Sequence, residues 1–439
     1  MDSKIPATLA QKRLYLIDKI IDHPSVYHVS FCFRIEGNFS PKRFKNAFTE
    51  IIKKHPSLRT SFHKSEEDIK QILHKKPRLD FQILNTCEDA EKIIRDNIET
   101  PFNLGKGPLH RIRIISSPPS HQLLSITLHH IICDAWSMEL ILKDLQKSYQ
   151  QETFSKEEIE SQYINYCANE SSKDHSHSLN YWKKKLEGIN SNLNLPYINE
   201  VPPKKYSHKG RRIHFKILPQ LKKDLKKLSE SYGGTLSMTC LAAFHLLLFR
   251  YSCQNDIPIG LSIANRFSEK SMSLVGFFVN TIVLREVIKV ENSIEHHLKK
   301  IRNCCLDAYD HCECPFDEVA QQSASKGQNA TFSPLFQVFF NYLSENSLNF
   351  SLPHTITEQQ NLPIHTSKFE LSLEVFEKEN TLEGHLEYCS ELFDEKVIKN
   401  MAQHFQILLQ NITKNPKQKI KNLEMLTESE KKELLASYY

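Results

Sequence analysis

Apolar and polar residues alternate in several short stretches of the chain, and this period of two predicts β-strands with one buried face. In the first half, one such stretch ends at Gly37-Asn38 and has its apolar positions at Val29, Phe31, Phe33 and Ile35. A helix is predicted next, because Ser40 is a suitable N-cap and Pro41 suits the first turn. One face of that helix is apolar, with Phe44, Ala47, Phe48, Ile51 and Ile52 at helical spacing.

A second alternating stretch carries two adjacent histidines. Residues 124–128 alternate between apolar and polar and predict a strand that brings His129 and His130 to its end. Successive side chains of a strand point to opposite faces, so one imidazole can face a cavity as a base while the other supports the site. Cys133-Asp134 is predicted to begin a turn, and Ser137 to cap the next helix.

The second half repeats the pattern of a helix next to a strand. Residues 236–249 are apolar on most sides and predict a buried helix, and residues 257–263 alternate as the strand that follows. The polar stretch 171–178 predicts a lobe boundary near residue 175. Two lobes are also expected from length, because 439 residues exceed the roughly 250 to 300 that one core supports.

Composition and charge exclude several classes of protein. The 57 basic and 52 acidic side chains are too nearly balanced to indicate nucleic-acid binding. The sequence contains no run of about 18 apolar residues, so no membrane-spanning helix is predicted. The polar start Met1–Pro6 lacks the apolar core of a secretory signal. A cytoplasmic protein is therefore expected. The odd count of 11 cysteines then predicts reduced thiols without disulfides. No glycine-rich phosphate loop occurs, so no nucleotide cofactor is expected.

Several motifs stand in a familiar order along the chain. The segment His129–Asp134 reads His-His-x-x-x-Asp. The other blocks are Ala10–Leu16, Lys54–Phe62, Phe249–Ile257, Ala264–Arg266, Val275–Thr281 with Arg285, His311–Asp317, Ser333–Phe336 and Leu386–Tyr388. Together they resemble the condensation domains of nonribosomal peptide synthetases, which belong to a wider acyltransferase superfamily. The resemblance covers nearly the whole chain.

The resemblance implies an α/β fold with two lobes, each similar to chloramphenicol acetyltransferase, in a V-shaped pseudo-dimer with a tunnel between them. The lobes are expected at 1–175 and 176–425. Residues 426–439 resemble the start of the linker that leads into an adenylation domain, which is therefore a possible neighbour.

The resemblance also implies an activity and its partners. An acyl or aminoacyl thioester on a donor carrier protein is joined to the amine of an aminoacyl group on an acceptor carrier protein, and the product is an amide. Both substrates arrive on phosphopantetheine arms, so the chain itself is expected to bind no cofactor. It is expected to act as a monomer without nucleic acid or membrane partners.

Roles for the site residues follow from the resemblance. His130 matches the second histidine of the signature and is expected to act as general base or as the acceptor that orients the amine. His129 is expected to support the loop by hydrogen bonding. Asp134 is expected to be structural and to pair with an arginine, first of all Arg285. The fallback partners, both in matched motifs, are Arg13 and Arg59.

Four residues are expected to line the substrate tunnel, namely Ala135, Trp136, Asn280 and Ser333. Ala135 departs from the family, which has glycine there, and its methyl group is expected to restrict the tunnel or to forbid a positive φ angle. Residues 327–332 lack the arginine that is usual before the Ser333–Phe336 block. The donor and acceptor classes therefore stay open.

Other interpretations of the sequence compete with this one. A cluster of potential zinc ligands lacks paired Cys-x-x-Cys spacing, so no metal is expected; it consists of Cys304, Cys305, His311, Cys312 and Cys314. One alternative function is transfer of an acyl group from coenzyme A or a carrier protein to a small amine or alcohol. Another is an inactive docking platform for carrier proteins, which the retained histidines, Asp134 and Arg285 disfavour.

Overall fold

In the computed structural model, the described residues are 2–66, 68–85, 90–117, 121–152, 154, 163–170, 173–199, 207–323, 333–344, 350–362 and 365–437. They divide into two compact units. The first unit consists of Met1–Asp174, Ala264–Asn280 and Asn346–Pro363. The second consists of His175–Ile263, Thr281–Glu345 and Ile364–Tyr439.

The strands and helices alternate along the chain. Up to residue 174 they are β1 (Ser3–Pro6), α1 (Leu9–Ile20), β2 (His28–Gly37), α2 (Pro41–Lys54), β3 (Thr60–Lys64), β4 (Ile69–Leu73), β5 (Phe81–Asn85), α3 (Ala90–Glu99), β6 (His110–Ser117), β7 (His121–His129), α4 (Ala135–Tyr149) and α5 (Tyr163–Glu170). Short 3₁₀ helices cover Pro24–Tyr27, Pro56–Arg59, His130–Ile132 and Ile420–Asn422.

Beyond residue 174 they are α6 (Ser176–Lys185), β8 (Gly210–Ile217), α7 (Pro219–Ser231), α8 (Leu236–Ser252), β9 (Asp256–Ile263), α9 (Glu269–Met272), β10 (Asn280–Val287), α10 (Ile294–Asp310), α11 (Phe316–Ser323), β11 (Val338–Leu343), β12 (Thr355–Gln360), β13 (Leu371–Glu377), β14 (Leu382–Cys389), α12 (Glu395–Lys414) and α13 (Glu428–Ser437).

The first unit is built on a five-stranded sheet with the order β12-β2-β7-β6-β5. Its neighbouring strands are antiparallel except for the parallel pair β5 and β6. The predicted helix α2 is confirmed, because Ser40 caps it by accepting from the Arg43 amide and its apolar face is buried. That face packs in one apolar core with α4 and residues of β2, β6 and β7. A smaller antiparallel sheet has the order β1-β4-β3.

The second unit contains a six-stranded sheet with the order β10-β9-β11-β13-β14-β8. The pairs β9–β11 and β11–β13 are parallel, whereas β13–β14 and β14–β8 are antiparallel. Helix α8 is buried on nearly every side, as its apolar sequence predicts, and belongs to the core that also includes α10 and α12. Both the buried helix and the strand β9 after it are therefore confirmed.

The division of the chain differs from the predicted one in the second half. The break after Asp174 falls beside the predicted boundary, but Ala264–Asn280 and Asn346–Pro363 belong to the first unit rather than to a continuous 176–425 lobe. One reason is that β12 pairs with β2 and extends the first unit's sheet. The predicted linker-like tail at 426–439 contains α13, whose Glu430 accepts from Nε2 of His404 at 2.9 Å. The divergent segment 327–332 lies outside the described residues.

Among the described residues, no single helix has the length and apolar character to cross a membrane, although the sharply bent pair α7 and α8 meets both conditions jointly.

Candidate active site

The two adjacent histidines stand where strand β7 gives way to a short 3₁₀ turn. The strand ends at His129, and the turn His130–Ile132 begins directly after it. His129 is fully buried, whereas His130 is partly exposed. Their environments therefore differ as the alternation of a strand predicts, although His130 itself lies just beyond the strand.

A hydrogen bond holds one ring nitrogen of His129, and a carboxylate lies near the other. Nδ1 accepts a hydrogen bond from the Ile131 amide at 3.1 Å, so the ring proton belongs on Nε2. Nε2 faces Oδ1 of Asp18 at 3.5 Å, and the Asp18 side chain is only 5% exposed. Burial lowers the pKa of His129, while Asp18 opposes that shift. His129 is thus a neutral group that shapes the turn, which agrees with its predicted supporting role.

His130 presents the opposite tautomer. Its Nδ1 lies 2.7 Å from the carbonyl oxygen of Cys133. Because a carbonyl oxygen only accepts, Nδ1 must carry the proton, and the lone pair of the neutral ring is on Nε2. The ring also meets Phe277 edge-on, with the centroids 5.1 Å apart. A partly exposed imidazole with its lone pair on Nε2 can accept a proton or a hydrogen bond from a bound amine.

Asp134 turns away from the histidines and into a buried polar network. Its side chain caps α4 by accepting from the Ser137 amide at 2.7 Å, so the helix N-cap is Asp134 and not the predicted Ser137. Oδ2 also accepts from the Phe278 amide at 3.1 Å. Arg266 donates through Nη2 to Oδ1 and Oδ2 at 3.0 and 3.2 Å. The predicted partner Arg285 is therefore wrong, and the partner is Arg266.

Arg266 connects Asp134 to the segment that follows Arg266 in the first unit. Its Nη1 donates to the carbonyl oxygens of Ser271 and Leu274, and its Nη2 also donates to Oγ of Ser137 at 2.9 Å. The guanidinium carbon lies 3.9 Å from the ring centroid of Phe278. The network thus positions residues 271–278 against the start of α4.

Gly276 closes this network because its backbone approaches other groups closely. Ser137 Oγ donates to the Gly276 carbonyl at 2.7 Å and accepts from the Gly276 amide at 3.0 Å. A β-carbon at Gly276 would lie only 2.3 Å from the ring of Tyr163, whose hydroxyl donates to the Phe277 carbonyl. Only glycine fits at this position, and Phe277 is thereby fixed beside His130.

None of the three arginines predicted to pair with Asp134 is among the hydrogen-bond partners that its carboxylate has in the described part of the chain. Arg285 lies in the second unit, where its Nε and Nη2 donate to Asp256 at 2.9 and 2.6 Å. Arg59 donates through Nη1 to the His74 carbonyl at 2.9 Å. Among the described residues, neither Arg59 nor Arg13 is bonded to Asp134, because Arg266 and backbone amides occupy its two oxygens.

The four predicted tunnel residues fall into different settings. Ala135 is the exposed first residue of α4, and its backbone is helical, so the predicted conflict with a positive φ angle does not arise. Trp136 is 41% exposed and donates its indole N–H to the Met272 carbonyl at 2.9 Å. Asn280 is buried in the first unit and Ser333 is buried in the second. A tunnel lined by all four stays a prediction.

The cysteines outside this loop are mostly buried, and the described residues offer no metal site. In the described ranges no group of three or more His, Cys, Asp or Glu side chains is arranged to hold a metal ion. The ten described cysteines are free thiols, and all but Cys253 are buried. Burial raises the pKa of Cys305 and Cys314 to about 12. These thiols are therefore protonated at neutral pH.

Comparison with known proteins gives a consistent result over the whole chain. The sequence model of the family described as "Condensation domain" matches residues 1–435. One of the proteins that make up linear gramicidin synthase in Brevibacillus parabrevis is 32% identical over 461 residues, covering 100% of this chain and 9% of that protein. Tyrocidine synthase 2 of the same organism is 30% identical, covering 99% of this chain and 12% of that protein. The chain thus spans about a tenth of the length of these relatives.

Solved structures give the same answer for the fold. The X-domain from teicoplanin biosynthesis superposes with a TM-score of 0.87 at 20% sequence identity, and the alignment covers 97% of this chain and 98% of that one. The likeness confirms the predicted α/β fold class.

Proposed function

The chain belongs to the condensation-domain family, and we propose that it joins a carrier-bound acyl or aminoacyl thioester to the amine of a carrier-bound aminoacyl group. Condensation domains of nonribosomal peptide synthetases are acyltransferases that form amide bonds between such substrates, and the family carries no cofactor of its own. The matched relatives are synthases. The phosphopantetheine arms of two carrier proteins are the proposed source of both substrates.

The reaction makes one bond and breaks another. The amine nitrogen attacks the thioester carbonyl carbon, the new C–N bond forms, and the C–S bond breaks as the thiol leaves. The attacking nitrogen must lose one proton, and the leaving sulfur must gain one. An α-amino group titrates near pH 8, so a fair fraction is neutral at cellular pH and alignment is the larger task.

The tautomer of His130 is the observation that supports this proposal most directly. The hydrogen bond between Nδ1 and the Cys133 carbonyl keeps the proton on that nitrogen and leaves the lone pair on Nε2. Nε2 can therefore accept the proton of the amine and return it to the leaving thiolate. Asp134 contributes by holding the start of α4 and residues 276–278 in position, through Arg266 and Ser137, rather than by touching the substrates.

The proposal is tested with two loaded carrier proteins, one bearing an acyl thioester and the other an aminoacyl thioester. Amide formation is followed by intact-protein mass spectrometry with the wild type and with His130→Ala. General acid–base catalysis typically contributes about 100- to 10,000-fold, so we expect a loss in that range in the variant. Residual turnover is compatible with the proposal, because alignment of the two arms does not depend on His130.

A matched histidine provides the control. His296 is exposed on α10 in the second unit, and we expect His296→Ala to keep the wild-type rate. Amide formation that survives His130→Ala unchanged would contradict the role of His130. A folded wild type that makes no amide across a broad panel of donors and acceptors would contradict the proposed reaction, and assays with acyl-coenzyme A and free amines would then test the acyltransferase alternative.

A further inference from the structure

The first unit contains a basic cleft that the proposed reaction does not use. It is open to solvent and lies between the end of β4 and the loop before β6. Its ionisable lining residues are all basic, namely Arg59, His74, Lys76, Arg78 and Lys106. We call this set the basic cleft.

Four of these side chains have no acidic partner. In the part of the chain that the structure describes, Arg59, Lys76, Arg78 and Lys106 form no ion pair with a carboxylate. Asp2 is the nearby acid, but it is bonded to Nδ1 of His74 at 3.0 Å. Like charges gathered without counter-charges repel each other, so the protein alone does not balance this cleft.

The two arginines are fixed in position by backbone carbonyl groups. Arg59 donates through Nη1 to the His74 carbonyl at 2.9 Å, and Arg78 donates through Nη2 to the carbonyls of Lys106 and Gly107 at 3.0 Å. The bonds of Arg78 join the loop after β4 to the loop before β6. Nε of Arg59 is buried and has no hydrogen-bond partner. A half-buried guanidinium with an unsatisfied donor is costly unless an acceptor reaches it.

The charge of the cleft restricts the acceptor. Four cations favour an acceptor with more than one negative charge, which a phosphate carries and a single carboxylate does not. Guanidinium groups bind phosphate oxygens with paired, charge-assisted hydrogen bonds. We propose that the basic cleft binds a phosphate group, either of free diphosphate or of a larger phosphorylated ligand.

Calorimetric titration of the full chain at low ionic strength tests the proposal, with inorganic diphosphate and coenzyme A as separate probes. We expect the wild type to bind at least one of them with a Kd of about 0.1 mM or tighter. The variant Lys76→Glu/Lys106→Glu changes two exposed side chains and should weaken that binding about ten-fold or more. Tighter binding of coenzyme A that the variant loses would identify a phosphorylated organic ligand, and tighter binding of diphosphate a free one, and both outcomes support the site. Coenzyme A binding that the variant keeps would lie elsewhere and would count against the site.

The control must distinguish binding at a local site from a general effect of the protein's net charge. Lys183 and Lys184 are exposed at the end of α6 in the second unit, and Lys183→Glu/Lys184→Glu changes the net charge by the same amount. We expect this variant to bind like the wild type. Equal weakening in both variants, or no heat of binding by the wild type at about 10 mM of either probe, would overturn the proposal. Inorganic diphosphate has no pantetheine arm, so its titration is independent of the proposed catalytic function, and the loss of coenzyme A binding in Lys76→Glu/Lys106→Glu distinguishes the basic cleft from the active site.

Discussion

The two units each contain an arginine–aspartate pair, and the pairs differ in their surroundings. In the first unit, the side chains of Arg266 and Asp134 are 2% and 1% exposed. In the second, the side chains of Arg285 and Asp256 are 16% and 31% exposed. In the first pair, the Asp134 carboxylate also caps a helix and accepts hydrogen bonds from backbone amides. Water reaches the second pair. The comparison teaches that an ion pair's surroundings, rather than its geometry alone, decide how much the fold depends on it.

The largest expected effect comes from breaking the buried pair. Arg266→Ala leaves the Asp134 carboxylate buried without a cation, and removes the donors to Ser137 and to the carbonyls of Ser271 and Leu274. We expect the free energy of unfolding to fall by about 3–5 kcal/mol. Urea denaturation followed by tryptophan fluorescence measures it, and a parallel series in the Trp136→Phe background separates the transition of the second unit from that of the first. A loss below about 1 kcal/mol would show that the pair is not essential to the fold.

Acidification should affect both units, because each contains a pair of neighbouring histidines that are buried or partly buried. His28 and His129 have ring centroids 5.8 Å apart in the first unit, and those of His245 and His297 are 5.2 Å apart in the second. Burial lowers the pKa of His28 to about 3 and that of His245 to about 4, and it also lowers the pKa of His129 and His297.

The sign of the pH effect follows from these lowered pKa values. Unfolded histidines take up protons below pH 6.5, but the folded ones stay neutral, so the unfolded state binds more protons as the pH falls. Stability is therefore complete above pH 6.5 and declines from there towards pH 4. A histidine that stays neutral in the folded state costs about 1.4 kcal/mol over one pH unit, so at pH 5.5 His28 and His245 should each cost their unit about that much, and His129 and His297 add to the loss in the same direction. Urea denaturation from pH 7.5 to 5 measures this, and a flat profile would contradict it.

How much of this site can be predicted from the sequence depends on the distance between the residues concerned. The strand that carries His129 is predictable because alternation is a local property, and α2 because its cap and its apolar face lie close together in the sequence. The partner of Asp134 lies 132 positions away and is chosen by the tertiary fold. Arg285 stands in a longer motif, but 281–345 belongs to the second unit, whereas 264–280 folds onto the first.

Signals for the missed residues are present but weak. Arg266 stands in the block Ala264–Arg266, which resembles the family, and this block marks it as a possible partner for Asp134. Asp134 and Ser137 are both suitable N-cap residues, so sequence alone favours neither as the start of α4. Asp18, which faces His129, has no signal of its own, because it follows the Ala10–Leu16 motif on a helix with few buried positions.

Breaking the more exposed pair should have a smaller effect. Arg285→Ala removes the bonds to Asp256 and to the carbonyls of Lys185 and Glu187, but water can solvate the groups left behind. We expect a loss of about 1–2 kcal/mol, measured by Trp182 fluorescence in the Trp136→Phe background so that only the second unit reports. A loss as large as that of Arg266→Ala would remove the distinction between the two pairs.

Among these predictions, the change of stability with added salt should show the smallest difference between the two pairs. Charges near water are screened over about 10 Å at 0.1 M salt and about 3 Å at 1 M, whereas buried charges are screened much less. Raising the salt concentration should therefore shrink the loss caused by Arg285→Ala by a few tenths of a kcal/mol, while the loss caused by Arg266→Ala stays constant. Urea is the suitable denaturant, because guanidinium chloride is itself a salt. A loss for Arg266→Ala that also shrinks with salt would mean that water reaches Asp134, and the contrast between a buried structural pair and a solvated one would then fail.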